Sequence, residues 1–133
     1  RRGDPSVILF EKGKNYGWPL ISYGINYDGS DVTTMTHMKG MEQPVKHWTP
    51  SPALSDLEFY TGDLFPKWKN QALVGALAFE EIKRLELDGD KVVSEEVLFK
   101  GIGRIRDINT ASDGSIYVVI NNPHAVVRLT PAD

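Results

Sequence analysis

The chain has 133 residues, a formal net charge of −3, 41% hydrophobic residues and no cysteine. These values are typical of one modest globular domain. A slightly acidic chain with dispersed lysines argues against nucleic acid as a partner. No apolar run approaches the length of a membrane span, and the lack of cysteine excludes both a disulfide framework and a thiolate metal site.

The first part of the chain has few core patterns. Val7–Phe10 is predicted to be an outer strand. The long polar stretch Asn26–Gly40 contains Asp28-Gly29-Ser30 and is predicted to be an excursion loop, a type of segment that often carries function. Prolines at Pro44 and in Pro50-Ser51-Pro52 precede the next strand.

The second part reads as short strands rich in Val, Ile, Leu and Tyr. Asp88-Gly89-Asp90 and Asp113-Gly114-Ser115 are hairpin signals between them, and no stretch has a convincing helical period. Glu80-Glu81 and Glu95-Glu96 are predicted to be solvated strand ends. The predicted strands are Leu57–Tyr60, Ala72–Leu77, Ile82–Leu87, Val92–Phe99, Arg104–Asn109, Ile116–Ile120 and Val126–Leu129.

A weak repeat connects these strands. Ile82–Leu85 recurs as Val126–Leu129, about 44 residues later, and the same shift carries Ala72–Leu77 onto Ile116–Asn121. The preceding strands, Leu57–Tyr60 and Arg104–Asn109, also match if the loop Thr61–Asn70 counts as an insertion. Four-stranded repeats of this size are typical of β-propeller blades, and a chance β-meander is the alternative.

The repeat predicts an all-β fold, a partial β-propeller of four-stranded antiparallel blades. Residues 1–56 are expected to hold the end of one blade and the excursion loop, 57–100 a blade, and 101–133 most of a further blade. A ring needs about four to eight blades, and this chain supplies two to three. We therefore expect either a piece of a longer polypeptide, which we favour, or self-association through open blade edges.

Two arginines stand out in Gly103-Arg104-Ile105-Arg106-Asp107. Alternate side chains of a strand share a face, so Arg104 and Arg106 are expected to point the same way while Ile105 enters the core. Two guanidinium groups on one face repel each other unless an anion lies between them, and their planar forks suit carboxylate or phosphate. The alternative is surface pairing with acids such as Asp107.

Several short sequence motifs of the chain, in the same order, resemble those of the soluble aldose sugar dehydrogenases that depend on pyrroloquinoline quinone (PQQ). These enzymes are relatives of glucose and sorbosone dehydrogenase. The resemblance covers almost the whole chain. The motifs are Glu11–Pro19, Ser22–Tyr27, Glu42-Gln43-Pro44, Phe59–Asp63, Val74–Leu77, Arg84–Asp90, Gly103–Asp107, and Asp113-Gly114 before Ile116-Tyr117-Val118.

This resemblance implies a six-bladed propeller with PQQ and a calcium ion at its channel. It implies oxidation of the C1 hydroxyl of an aldose to a lactone, an electron acceptor for the reduced cofactor, and a periplasmic or secreted location. Arg104 and Arg106 match the arginines that hold the PQQ carboxylates. Ala76, Leu77 and Ala78 match a segment facing the cofactor, although many members have lysine where Ala78 stands.

Other matches are partial. Tyr16 matches a position that gives a backbone oxygen to a second calcium in some members. Those members have a Gly-Asp-Glu phrase upstream, whereas this chain has Gly3-Asp4-Pro5-Ser6, and a serine hydroxyl replaces a carboxylate poorly on calcium. Tyr16 and Trp18 are more simply read as core aromatics. Thr49 and Ser51 fall near the cofactor face of relatives, but turn capping is the favoured reading.

No residue of this chain is assigned to catalysis. None of its three histidines, His37, His47 and His124, matches the family's catalytic base. The expected function is therefore the C-terminal portion of such a dehydrogenase, and the alternative is a propeller that binds or scaffolds without chemistry.

Overall fold

The computed structural model describes residues 5–132. The chain divides into two compact units, Arg1–Ala53 and Leu54–Asp133. Apart from one short 3-10 helix, Pro66–Trp68, every regular element of the described residues is a β-strand, which confirms the predicted all-β class. None of these residues forms a helix with the length and apolarity of a membrane span.

In the first unit, two short strands pair antiparallel, β1 (Ser6–Val7) with β2 (Lys46–His47). The predicted strand Val7–Phe10 is wrong beyond Val7, and Phe10 is 80% exposed. The reason is Tyr16, whose hydroxyl donates to the carbonyl of Leu9 at 2.6 Å and accepts from the amide of Glu11 at 2.7 Å. These bonds tie the backbone at Leu9 and Glu11 to Tyr16, and the pairing with β2 does not continue past Val7.

The second unit has two antiparallel sheets with strands in sequence order. The seven predicted strands are confirmed, with ends shifted by a few residues at most. The four-stranded sheet consists of β3 (Leu54–Phe59), β4 (Ala72–Ala76), β5 (Glu81–Asp88) and β6 (Lys91–Lys100), and the three-stranded sheet of β7 (Arg104–Thr110), β8 (Ile116–Asn121) and β9 (Ala125–Leu129).

Side-chain alternation explains these strands. In β8 the side chains of Ile116, Val118 and Ile120 are buried, while Tyr117 and Val119 between them are exposed. This is the pattern of a strand with one face on the core, where each fully buried aliphatic side chain contributes about 1.5–3 kcal/mol. All of β4 is buried, as expected of a strand covered on both faces.

Both predicted hairpin turns are present. Gly89 connects β5 to β6 with φ of 57°, and Gly114 lies between β7 and β8 with φ of 83°. Glycine adopts such angles without the steric cost that a Cβ imposes. The division of the chain into blades at 1–56, 57–100 and 101–133 stays a prediction.

The loop after β3 is fastened to the β7–β8 turn by Tyr60. Its ring is fully buried, and its hydroxyl donates to the carbonyl of Gly114 at 2.7 Å while accepting from the amide of Phe65 at 3.1 Å. The rings of Phe65 and Trp68 stack at 4.2 Å and pack against the core. This insertion is therefore an ordered part of the unit.

Candidate functional site

The arginine pair lies at the beginning of β7. Ile105 is fully buried, as predicted, whereas Arg104 is half-buried and Arg106 is exposed. The pairing of β7 with β8 shifts register between Ile105 and Asp107, which makes Arg106 the extra residue of a β-bulge. Simple alternation therefore fails beyond Arg106, and the next core residue is Ile108. Bulges are common beside active sites, where they redirect a side chain.

Neither arginine has a carboxylate partner among residues 5–132. Nε of Arg106 donates to Oδ1 of Asn121 at 2.7 Å, and the guanidinium of Arg104 makes no hydrogen bond or ion pair with the described residues. Asp107 is the acid that would pair with the arginines in the alternative reading, but its Oδ2 accepts instead from the side-chain amide of Asn109. The guanidinium groups are thus available to an external anion.

The other arginines of the described chain behave differently. Nη2 of Arg84 lies 2.9 Å from Oε2 of Glu96, and Nη2 of Arg128 lies 2.8 Å from Oδ2 of Asp113. In an acidic chain a surface arginine readily finds a carboxylate. The lack of a carboxylate partner therefore distinguishes Arg104 and Arg106 from the other arginines of the described chain.

Close packing brings β4 to β7. A Cβ built on Gly75 would lie 2.6 Å from Cγ2 of Ile105 and 3.0 Å from Oγ of Ser55. The missing side chain lets the β4 backbone approach Ile105, and β4 ends one residue later at Ala76. The two segments predicted to border the cofactor therefore belong to neighbouring strands: segment 76–78 begins at the end of β4, and segment 104–106 begins β7.

The turn after β4 has an alanine at position 78 and therefore no positively charged side chain there. Ala76 is buried, Leu77 is half-buried, and Ala78 is an exposed turn residue. Lys83 is committed elsewhere, since its Nζ lies 3.4 Å from Oε1 of Glu81 and 3.2 Å from Oε1 of Glu95.

Glu81 itself corrects a sequence expectation. Its side chain is only 2% exposed, so it is not a solvated strand end. Its second oxygen, Oε2, lies 3.6 Å from Nζ of Lys100, and together with Lys83 this pairing compensates a buried charge.

The predicted metal position, Tyr16, lies in the first unit. Tyr16, Ser6 and Glu42 line a small cavity of about 30 Å³. The one carboxylate that lines this cavity among residues 5–132, that of Glu42, is paired with Lys14 at 2.9 Å. Calcium takes six to eight oxygen ligands, and no group of three or more acidic or histidine side chains within 5–132 could hold a metal. This donor set fits calcium poorly, and residues 3 and 4 lie outside the described chain.

The burial of Trp18 and Tyr16 and the hydrogen bond of Ser51 test two further predictions. Trp18 is 62% exposed, so its reading as a core aromatic is wrong, whereas Tyr16 is half-buried. Oγ of Ser51 accepts from the amide of Ala53 at 3.1 Å, which confirms its turn-capping role.

The histidines form a feature that sequence spacing did not indicate. His47 stacks on Tyr23 with ring centroids 4.0 Å apart, and His37 meets the same ring edge-on at 6.3 Å. Both histidines are exposed, as is His124 before β9. Their sequence separation carries no signal for this cluster, because the connecting segment has no regular structure.

Comparison with known proteins identifies the family. The model of the glucose/sorbosone dehydrogenase family matches residues 1–128, and the chain belongs to this family. It is 40% identical over 121 residues to the aldose sugar dehydrogenase YliI of Escherichia coli K12, covering 89% of this chain and 33% of that protein. It is 35% identical over 130 residues to a Synechocystis protein, slr1608, covering 96% and 32%.

Solved structures agree. A glucose dehydrogenase crystal structure is 39% identical with a TM-score of 0.88, covering 99% of this chain and 39% of that one. An aldose sugar dehydrogenase from Streptomyces coelicolor, solved in a PQQ-bound form, shares the fold at 20% identity and a TM-score of 0.66, covering 92% and 35%. The fold is that of part of a β-propeller, and the chain spans about a third of the length of the curated relatives it matches.

Proposed function

We propose that this chain is the C-terminal portion of a PQQ-dependent aldose sugar dehydrogenase and supplies the clamp for the carboxylates of the cofactor. The observation that carries the proposal is the arginine pair Arg104 and Arg106, which has no carboxylate partner among residues 5–132. PQQ is a tricarboxylate, and planar guanidinium forks bind carboxylates with two parallel hydrogen bonds. Family membership and the PQQ-bound Streptomyces relative support the same choice.

Each part of the site has a physical role in this proposal. Arg104 and Arg106 bind carboxylates, and Asn121 restrains Arg106 through its Nε while leaving the terminal nitrogens available. The backbone of Ala76, Leu77 and Ala78 is proposed to border the cofactor. Held by Arg104 and Arg106, PQQ would supply the two-electron oxidant for hydride removal from C1 of the aldose, while the hydroxyl proton would pass to a base that this chain does not provide, and the product would be a lactone.

Other elements of the reaction are proposed from the family resemblance alone. These are a calcium ion beside the quinone, an electron acceptor, and a periplasmic or secreted location. Tyr16 is carried over as a metal position on the same basis, although the donors around it are poor. No histidine of this chain is proposed as the base.

Calorimetric titration of PQQ, with calcium present, into the full-length gene product tests the proposal. Arg106→Ala should weaken binding by at least about tenfold, the scale of a lost charge-assisted bond. Arg128→Ala is the matched control, because it removes an exposed arginine of the same sheet that already pairs with Asp113. Equal loss in both variants, or no binding by the unmodified protein, would contradict the clamp.

A non-catalytic binding or scaffolding propeller is the second candidate. It is favoured by the exposed Ala78, where the turn offers no cation, and by the weak donor set at Tyr16. Absence of PQQ binding in the titration favours this candidate. Self-association through the outer strands β6 and β9 is a separate question, which the mass in solution decides.

A further inference from the structure

Two acidic side chains of β3 bind the backbone of β7. Oδ2 of Asp56 accepts from the amide of Ile108 at 2.8 Å, and Oε1 of Glu58 accepts from the amide of Thr110 at 3.0 Å. Both bonds join residues 52 positions apart, so they follow one register along the two strands. They form a two-rung ladder made by side chains, which we call the carboxylate ladder.

The carboxylate ladder occupies the edge of β7 that β8 leaves free. β7 pairs with β8 only, and β3 belongs to the other sheet. An edge strand exposes backbone N–H groups along its outer side, and a side-chain oxygen can accept a hydrogen bond from such a group. The ladder therefore fixes β7 to β3 while keeping the two sheets separate.

The ladder acts on the strand that carries the arginine pair. Asp56 accepts the amide of Ile108, two residues after Arg106 in the sequence. Ile105, between the two arginines, packs on Gly75. β7 is thus held from one side by apolar contact and from its edge by two hydrogen bonds. An extended strand held in this way has little freedom to slide or tilt, and displacements of about 1 Å are costly at a binding site.

We propose that Asp56 and Glu58 are positioning residues: by accepting the amides of Ile108 and Thr110, they hold β7 so that Arg104 and Arg106 meet the carboxylates of the cofactor. This inference rests on the proposed function. It assigns the two acids a role through their acceptor oxygens and not through their charge.

The test compares two double variants of the full-length gene product. Asp56→Asn with Glu58→Gln keeps an acceptor oxygen at each position, whereas Asp56→Ala with Glu58→Ala removes both. PQQ affinity by calorimetry should fall by about tenfold or more in the alanine pair and by less than about threefold in the amide pair. Hydrogen exchange at the Ile108 and Thr110 amides should accelerate in the alanine pair only.

A matched control is Glu86→Ala, which removes an acid of the same sheet as β3; among residues 5–132 its carboxylate accepts only from the hydroxyl of Ser94. It should leave both PQQ affinity and amide exchange unchanged. If the alanine pair does not fold, the single variants Asp56→Ala and Glu58→Ala are measured, and each should show part of both effects.

The outcomes separate the two proposals. A folded alanine pair with faster amide exchange and unchanged PQQ affinity would show a purely structural ladder and overturn this inference, while the proposed function stands. Equal loss in the amide and alanine pairs would mean that charge matters, which also overturns it. If the unmodified protein does not bind PQQ, the proposed function fails and this inference fails with it.

Discussion

Gly75 of β4 lies directly against Ile105 of β7, so close that a methyl group on Gly75 would stand 2.6 Å from Cγ2 of Ile105. This contact joins the two sheets at the level of the arginine pair. Real Cβ atoms essentially never approach other heavy atoms so closely, and the neighbouring Ser55 hydroxyl closes the same space at 3.0 Å. The absent side chain therefore sets the separation of β4 and β7.

Gly75→Ala is expected to destabilise the protein by about 1–3 kcal/mol, because the new methyl group forces Ile105 or the strands apart. Urea unfolding measures the change. Adding Ile105→Ala should relieve part of the clash, so the double variant should cost less than the sum of the single ones. Strict additivity would show that the two residues do not touch.

Tyr60→Phe tests the attachment of the loop after β3. The variant keeps the buried ring but removes the hydroxyl that bonds Gly114 and Phe65, leaving a buried carbonyl and amide without their partner. The expected loss is about 1–3 kcal/mol in the free energy of unfolding. Tyr117→Phe is the control, since Tyr117 is exposed and its hydroxyl makes no hydrogen bond within residues 5–132, so the stability of this variant should equal that of the unmodified protein.

Local patterns predicted much of the second unit. Alternating aliphatic residues and glycine turns define strands such as β8 and hairpins such as the one at Gly114, because both depend on neighbouring residues. The burial of Ile105 followed from the same alternation. Val7–Phe10 shows the limit of this reasoning, since a short apolar run becomes a strand only where a partner is available, and Tyr16 holds the backbone otherwise.

Features that depend on distant partners were not predictable. The bulge at Arg106 depends on how β8 pairs, and the bond from Asp56 to the amide of Ile108 joins residues far apart in sequence. The burial of Glu81 depends on Lys83 and Lys100 reaching it. The arginine pair was found because two like charges on one strand are unusual, whereas its lack of an acidic partner required the structure.

Arg106→Lys separates charge from geometry at the proposed clamp. Lysine keeps the positive charge but lacks the planar fork that forms two parallel hydrogen bonds with a carboxylate, and it lacks the separate Nε donor that bonds Asn121. PQQ affinity is expected to fall, but by less than the loss of about tenfold or more expected for Arg106→Ala, because the charge is kept. Arg128→Lys is the conservative control and should bind as before. Unchanged PQQ affinity in Arg106→Lys would mean that the positive charge alone binds the carboxylate and that the guanidinium geometry is not needed.

The pH dependence of stability is expected to include a contribution from Asp113. Hydrogen bonds from the hydroxyl and amide of Ser115, and then Arg128, lower the pKa of this carboxyl from its ordinary value of 3.8. A lowered folded-state pKa favours the folded protein above 3.8, and this contribution is lost as the pH falls through the lowered value. Asp113→Asn should therefore be less stable than the unmodified protein at neutral pH, and the difference should shrink in acid.

Urea unfolding across the acidic range checks this, with Asp90→Asn as a control that removes an exposed turn carboxylate without such hydrogen bonds among residues 5–132. The direction of the change is decisive. A stability difference between Asp113→Asn and the unmodified protein that grows as the pH falls would require a raised pKa and contradict the bonding at the β7–β8 turn.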